Sequence, residues 1–339
     1  MSGPVDRADP GSLRRQVISE STVEAGPLGP WVDDMVNVTQ VLGAGKLYEM
    51  GAAEAARLKA ESPPLQDVPN VLLDRPYAIV PGWTTRPEKF DALVARLTAG
   101  GRNGGRAYYV KEGKIYLDKE CTQVSEQADP QARVFVMVFD DVLSPPDRTA
   151  PQLDSDLKAV RRATGQEQLD LLGYSMGGLA TRVYLDQYPE RVGKVMLLGT
   201  GNKGSRLGKL GARLIARDIQ WAMGMAGLTA AHLPAMEWMG ASNRDGRDNP
   251  HLAALNDNWD HQVAQTESLE IVGGKDLPTA SSGWWPMAGG DGMVEASSLE
   301  MPGVPVKLLP GKGYKHHGNL PNDSDVYREM VDFFGWQPD

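Results

Sequence analysis

The chain has 339 residues, of which 41% are hydrophobic and 23% are charged, and its formal net charge is −9. This composition is typical of a globular protein with a sizeable core, and the length allows one or two domains. The negative charge argues against a nucleic-acid partner, because phosphate binding needs clustered positive charge. A single cysteine, Cys121, excludes an intramolecular disulfide and a cysteine-rich metal site.

Residues 1–70 differ in pattern from the rest of the chain. Residues 1–30 are polar and rich in glycine and proline, which predicts a loosely ordered arm, and residues 33–60 have a helical pattern. The first 30 residues lack the apolar stretch of a secretory signal, and the longest apolar stretch, 219–240, is interrupted by charge and proline. We therefore expect a soluble, cytoplasmic protein, with export by a specialised route left open.

Farther along, short apolar runs alternate with helical stretches. The runs that predict strands are 77–80, 134–139, 169–173, 194–199, 269–273 and 306–310. The stretches that predict helices are 87–99, 151–163, 177–188 and 324–334. Nearly continuous apolar strands separated by helices predict an α/β fold with a mostly parallel central sheet and helices on both faces. Such a fold carries its chemistry in the loops at the carboxyl ends of the strands.

One predicted strand, 169–173, runs directly into Gly-Tyr-Ser-Met-Gly-Gly (173–178) and then into a predicted helix. A Gly-x-Ser-x-Gly turn in this context predicts that Ser175 projects its hydroxyl above the sheet. Gly173 and Gly177 let strand and helix approach closely, and the free N–H groups of the helix favour negative charge nearby. An ordinary tight turn would also fit the pattern, but its position between strand and helix favours a nucleophile.

The chain from about residue 75 to 335 resembles the α/β hydrolases, and more narrowly the bacterial lipases and esterases. Besides the serine turn, the resemblance is carried, in chain order, by Val-Pro-Gly-Trp-Thr-Thr (80–85), Leu-Gly-Thr-Gly-Asn-Lys-Gly-Ser (198–205), Asn-Pro-His-Leu-Ala-Ala-Leu-Asn (249–256) and Gly-Gly-Asp-Gly-Met-Val-Glu-Ala-Ser-Ser-Leu (289–299). Pro81 departs from the pattern, since the family has a histidine there. The resemblance implies an α/β-hydrolase domain over 71–339, with a lid or cap insertion at about 204–262.

A serine nucleophile needs a base with a pKa near neutrality, which favours histidine, and a carboxylate to orient that base. Of the five histidines, only His316 and His317 follow the last predicted strand, as the chain order of this fold requires. In the resembling enzymes the base precedes a small residue and then Leu-Pro. This spacing favours His317 as the base, with His316 as its neighbour.

Two aspartates are candidates for the orienting acid. Asp276 follows strand 269–273, where many α/β hydrolases carry theirs, whereas the loop around Asp291 matches the lipase loop more closely, so we favour Asp291. For the oxyanion, the resemblance implies the backbone N–H of Met176, just after the nucleophile, and that of Trp83 as donors.

Two longer segments interrupt the alternation of strands and helices. Residues 106–122 alternate apolar and polar residues around Gly113 and predict a β-hairpin. The insertion at 204–262 contains a group of adaptable apolar residues, namely Trp221, Met223, Met225, Leu228, Met236, Trp238 and Met239. They fit either a mobile, lipid-contacting lid or a buried cap helix. Trp284 and Trp285, near the acid loop, are candidates for a pocket wall or for ordinary packing.

The resulting expectation is a lipase- or esterase-type serine hydrolase that cleaves an apolar acyl ester through an acyl-enzyme. An acyltransferase or amidase with the same triad, and a binding protein that retains the fold, are the alternatives. We expect a small-molecule or lipid ester as substrate, transient lipid contact through the lid, no obligate protein partner and no cofactor. A metal site at His316 and His317 is disfavoured, because adjacent side chains in an extended segment point to opposite sides.

Overall fold

The computed structural model describes residues 65, 67–125, 129–188, 190–216, 229–241, 243, 245–279, 288–311 and 315–339. All of them belong to one compact unit, Gly43–Asp339. The predicted arm (1–30) and the predicted N-terminal helix (33–60) lie outside the described residues. The same is true of Trp284 and Trp285 and of the part of the predicted lid at 217–228.

The strands form one large sheet and two small antiparallel pairs. In chain order they are β1 (Val71–Leu72), β2 (Tyr77–Val80), β3 (Ala107–Lys111), β4 (Lys114–Tyr116), β5 (Val134–Met137), β6 (Asp170–Tyr174), β7 (Val192–Leu198), β8 (Thr266–Gly274), β9 (Leu277–Thr279), β10 (Ala288–Gly290), β11 (Val306–Leu309) and β12 (Gln337–Pro338). The eight-stranded sheet has the order β11-β8-β7-β6-β2-β5-β3-β4. All of its pairs are parallel except the β3–β4 hairpin, whose formation was predicted.

The described α-helices are α1 (Asp91–Thr98), α2 (Pro146–Thr164), α3 (Met176–Gln187), α4 (Arg206–Ala216), α5 (Leu233–Met239), α6 (Pro250–Asp257), α7 (Trp259–Ala264), α8 (Ala296–Leu299) and α9 (Ser324–Phe334). Helix α2 begins earlier than the predicted 151, because a proline such as Pro146 at the first helical position loses no intrahelical hydrogen bond. None of the described helices combines the length and the apolar character that crossing a membrane requires.

Alternate residues of the central strands fill two hydrophobic clusters, one on each face of the sheet. Ala78 and Val80 of β2 pack in the cluster that includes α2 and α3, whereas Tyr77 and Ile79 pack in the cluster that includes α1 and α9. All four side chains are 0% exposed. Since successive side chains point to opposite faces, a strand that is apolar throughout needs cover on both. The predicted α/β architecture is confirmed.

The hairpin packs on α2 through a buried carboxylate. Its turn contains Glu112 and Gly113, both with positive φ, of 50° and 70°. The N–H of Gly113 donates to Oδ1 of Asp156 at 2.7 Å. Asp156 is fully buried, and this burial raises the pKa of its carboxyl to about 7.

Stability is therefore expected to depend on pH through Asp156. Because its pKa is higher in the folded than in the unfolded chain, the folded state binds this proton more tightly, and that stabilisation is lost as the pH rises from about 4 through about 7. Asp156→Asn keeps an acceptor for Gly113 and cannot ionise. Relative to wild type, its free energy of unfolding is expected to rise by roughly 2–4 kcal/mol across this interval.

Urea unfolding at several pH values measures this difference. Asp147→Asn, at an exposed position of the same helix, is the control and should show no comparable trend. A difference between Asp156→Asn and wild type that stays constant from pH 4 to pH 8 would contradict the prediction.

Candidate active site

Ser175 lies in the sharp turn between β6 and α3. Its φ of 55° and ψ of −127° are uncommon for a residue with a side chain and mark a strained turn. The turn is fixed to the sheet because the N–H of Ser175 donates to the C=O of Leu198, the last residue of β7, at 2.8 Å. Ser175 is half-buried, so its hydroxyl is held in place without being sealed in the core.

Two glycines let the turn at 81–85 approach the serine turn. A Cβ on Gly177 would lie 2.4 Å from the carbonyl oxygens of Val80 and Pro81, and a Cβ on Gly82 would lie 2.7 Å from Cβ of Ser175. Real Cβ atoms do not tolerate such distances, so glycine is required at both positions. The close approach places the turn after β2 directly beside Ser175.

A hydrogen-bonded chain connects Ser175 to His317 and Asp291. Nε2 of His317 lies 2.8 Å from Oγ of Ser175, and Nδ1 lies 2.7 Å from Oδ2 of Asp291. Asp291 is 0% exposed, and its other oxygen accepts the N–H groups of Met293 and Val294 at 3.0 and 2.8 Å. With Nδ1–H donating to this carboxylate, Nε2 is left to accept the serine proton.

The other two candidates make different contacts. Asp276 is exposed, and its Oδ2 accepts the N–H of Gly311, after β11, at 2.7 Å. Nδ1 of His316 accepts the N–H of Gly318 at 3.3 Å, and burial lowers the pKa of the His316 imidazole. The structure thus brings Asp291 and His317 to the serine, while Asp276 and His316 bond within loops.

The loop that carries His317 is anchored by two residues that the sequence did not single out. The phenolic O–H of Tyr174 donates to the C=O of His317 at 2.8 Å. Lys315, only 6% exposed, donates from Nζ to both carboxylate oxygens of Asp323 at 2.7 and 2.8 Å and to Asp325 at 2.7 Å. The Gly-x-Ser-x-Gly pattern specifies no residue type at Tyr174, so the sequence pattern did not single it out. Burial of a lysine such as Lys315 leaves no local signal in the sequence.

The two predicted oxyanion donors belong to the start of α3 and to the neighbouring turn after β2. Met176 begins α3, and the first N–H groups of a helix have no partner within it. In the neighbouring turn, the N–H of Thr84 donates to Val142 and that of Thr85 to Gly82. For the N–H of Trp83, we find no acceptor among the described residues. Both N–H groups are therefore candidates to donate to a bound oxyanion.

A small cleft adjoins this site, between the turn after β2 (Pro81, Gly82), the loop after β5 (Phe139, Val142) and the start of α3. Its volume is about 10 Å³, which holds about one water molecule and no acyl chain. Within the described ranges, no group of three or more histidine, cysteine, aspartate or glutamate side chains is placed to hold a metal ion.

Part of the predicted lid packs inward. Met236 and Trp238 of α5 are each 7% exposed, which fits a buried cap helix better than a lipid-contacting face at these two positions. The ring of His232 meets the ring of Trp83 edge to face, with centroids 5.3 Å apart. The insertion therefore touches the turn that carries one candidate oxyanion donor. Met223, Met225, Trp221 and Leu228 lie outside the described residues.

Comparison with known proteins identifies the class of the fold. Residues 139–252 match the family model of the alpha/beta hydrolase fold. The chain is similar to the product of the Listeria innocua gene lin2722, with 16% identity, 76% of this chain and 93% of that chain covered, and a TM-score of 0.51. It is also similar to the mature Bacillus licheniformis lipase BlEst2, with 14% identity, 80% and 94% covered, and a TM-score of 0.50. No curated protein matches the sequence.

These likenesses and the sheet order show that the chain has the α/β-hydrolase fold. The resemblance to the α/β hydrolases, inferred from the serine turn and the four other stretches, is thereby confirmed at the level of the fold.

Proposed function

We propose that this protein is a serine hydrolase that cleaves carboxylic esters with an apolar acyl group. The observation that carries the proposal is the chain of hydrogen bonds from Ser175 through His317 to Asp291, at 2.8 and 2.7 Å. A serine hydroxyl is a weak nucleophile until a base takes its proton. This arrangement supplies the base, and it also supplies the carboxylate that holds the base in the required tautomer.

In the proposed acylation, Oγ of Ser175 bonds to the ester carbon while Nε2 of His317 takes the hydroxyl proton. The carbonyl π electrons move to the oxygen, which accepts the N–H groups of Met176 and Trp83. The side chain of Asp291 stabilises the imidazolium that forms, and the N–H groups of Met293 and Val294 hold its second oxygen in place.

The tetrahedral intermediate then collapses, and the carbon–oxygen bond to the alcohol breaks. The departing oxygen takes the proton from His317, which leaves an acyl group on Ser175. In the second half of the reaction, a water oxygen bonds to the acyl carbon while Nε2 of His317 takes a water proton. The bond between that carbon and Oγ of Ser175 then breaks, Oγ takes the proton back from His317, and the acid leaves. Apart from the ester and water, both halves use only groups of this chain.

The apolar acyl group is suggested by the residues around the site. Phe139 lines the small cleft beside Met176, and Trp83 contacts the insertion through His232. The insertion is itself rich in methionine and tryptophan, whose side chains adapt to apolar ligands. The cleft as described holds no acyl chain, so the apolar character of these residues, and not the volume of the cleft, favours an ester of a fatty acid as the substrate.

Labelling with an alkyl fluorophosphonate tests the proposal. The folded protein is expected to take up one equivalent of probe and to lose its hydrolysis of nitrophenyl octanoate in proportion. Each apolar CH₂ that is buried contributes about 0.8 kcal/mol, or roughly fourfold in kcat/KM, so the octanoate should react faster than the acetate.

Ser175→Ala should take up no probe. The matched control is Ser297→Ala, which removes an exposed serine hydroxyl in α8 and should be labelled like wild type. If the folded wild type is not labelled under conditions that label an active serine hydrolase, the proposal fails and the alternative of a binding protein that retains the fold is favoured.

A further inference from the structure

Tyr174 is the last residue of β6 and directly precedes Ser175. The serine turn itself requires no particular side chain at this position. Tyr174 is nevertheless 3% exposed and packs in the cluster on the α1 and α9 face of the sheet. Leu320, in the 3₁₀ turn His317–Asn322, belongs to the same cluster. The residue before the nucleophile and the loop of the base therefore meet on one face.

Tyr174 contacts His317 at both its main chain and its ring. The phenolic O–H donates to the C=O of His317 at 2.8 Å. The phenol ring is stacked on the imidazole, with centroids 5.4 Å apart and planes inclined by 28°. Phe90 of the 3₁₀ turn before α1 meets the same phenol at 5.9 Å and 89°. In a close-packed interior these contacts leave the phenol little freedom to move.

The main chain of His317 is held from two directions. Its N–H donates to the C=O of Asp291 at 2.8 Å, and its C=O accepts the O–H of Tyr174. The acid loop thus fixes one side of the residue, and the strand that carries the nucleophile fixes the other. Since one peptide bond separates Tyr174 from Ser175, the phenol connects the loop of the base directly to the turn of the nucleophile.

We propose that Tyr174 is a positioning residue that sets the distance between Oγ of Ser175 and Nε2 of His317. This inference rests on the hydrolase function proposed above. Proton transfer needs these atoms at hydrogen-bond distance, which is 2.8 Å here. The stacked phenol also lies against the ring that becomes positively charged during attack, and an aromatic face favours a cation. Tyr174 acts through His317, whose carbonyl and ring it contacts.

Tyr174→Phe keeps the ring and removes the hydroxyl. A displacement of about 1 Å can lower turnover by roughly 100-fold, so kcat for nitrophenyl octanoate is expected to fall roughly 10- to 100-fold. KM should not change, because the phenol is not part of the proposed substrate site. A variant that merely unfolds more easily would contain less active enzyme, so fluorophosphonate would label a smaller fraction of it. Tyr174→Phe should instead be labelled to the same final extent as wild type, but more slowly.

The matched control is Tyr327→Phe. Tyr327 in α9 is also buried, and its O–H also donates to a backbone carbonyl, that of Pro69 at 3.0 Å. Both variants should therefore show a similar shift of the urea midpoint. Only Tyr174→Phe should lose kcat. An equal loss of kcat in the two variants would show a general structural effect and overturn the inference.

A second readout does not depend on turnover. The proton shared by Nδ1 of His317 and Asp291, whose heavy atoms are 2.7 Å apart, is expected to give a far-downfield proton NMR resonance. This resonance should persist in Tyr327→Phe and broaden in Tyr174→Phe. Wild-type kcat and an unchanged resonance in Tyr174→Phe would overturn the inference and leave the hydrolase proposal standing. If the wild type cleaves no ester, the hydrolase proposal fails, and the resonance decides whether Tyr174 holds His317.

Discussion

Replacing His317 with alanine is expected to lower kcat/KM for ester hydrolysis by roughly 10⁴- to 10⁶-fold. The reason is that Nε2 of His317, 2.8 Å from Oγ of Ser175, is the proposed acceptor of the serine proton. Without it, the hydroxyl must attack while it still holds its proton. The residual rate should come from binding and from the oxyanion donors.

His316→Ala is the matched control, since it removes the same side chain from the adjacent position. The ring of His316 bonds to Gly318, so its loss loosens the loop and should lower kcat/KM by about tenfold or less. Steady-state kinetics with nitrophenyl esters, corrected for folded protein by circular dichroism, give both numbers. An inactive His316→Ala beside an active His317→Ala would reverse the assignment of the base.

Asp291→Asn is expected to lower kcat by about 10⁴-fold. One side-chain oxygen at this position accepts the N–H groups of Met293 and Val294, so the amide of asparagine must direct its NH₂ at Nδ1 of His317. The imidazole can then bond to it only with Nδ1 as acceptor, which puts the proton on Nε2. In that tautomer His317 donates to Ser175 and cannot take its proton.

Asp276→Asn is the control for this change, because it exchanges the same atoms on the other candidate acid. Asp276 is exposed and bonds to Gly311, so kcat is expected to stay near the wild-type value. Both variants should be measured over a range of pH that includes alkaline conditions, where the loss of kcat caused by the altered tautomer of His317 is expected to be smallest. A strong loss in Asp276→Asn, with Asp291→Asn nearly active, would overturn the choice of acid.

Parts of the fold follow from local sequence alone. The observed bounds of β2 (Tyr77–Val80) and α9 (Ser324–Phe334) are the predicted ones. A run of four apolar residues is stable only when both faces are covered, and that requirement predicts a central strand. The serine turn is similarly local, because small residues at a strand-to-helix junction are enough to predict a bend at Ser175.

The relation of the candidate acids to the site depends on distant pairing. Asp276 and Asp291 both follow β8 in the chain, but β9 pairs with β10 and returns the chain to the sheet. A Cβ on Gly274, at the end of β8, would lie 3.3 Å from Cβ of Asp291. Strands of three residues leave almost no pattern in a sequence. The hairpin that brings Asp291 to His317 was therefore not predictable from residue types.

Burial and hydrogen bonding to distant residues are also properties of the folded chain. Tyr174 and Asp156 are unremarkable in sequence, and their partners His317 and Gly113 lie 143 and 43 positions away. The nearest few residues in the chain set a preference for helix, strand or turn, which is why the architecture and the serine turn could be predicted. Exposure, charge state and hydrogen-bond partners depend on which loops meet at the edge of the sheet, and those loops come from remote parts of the chain.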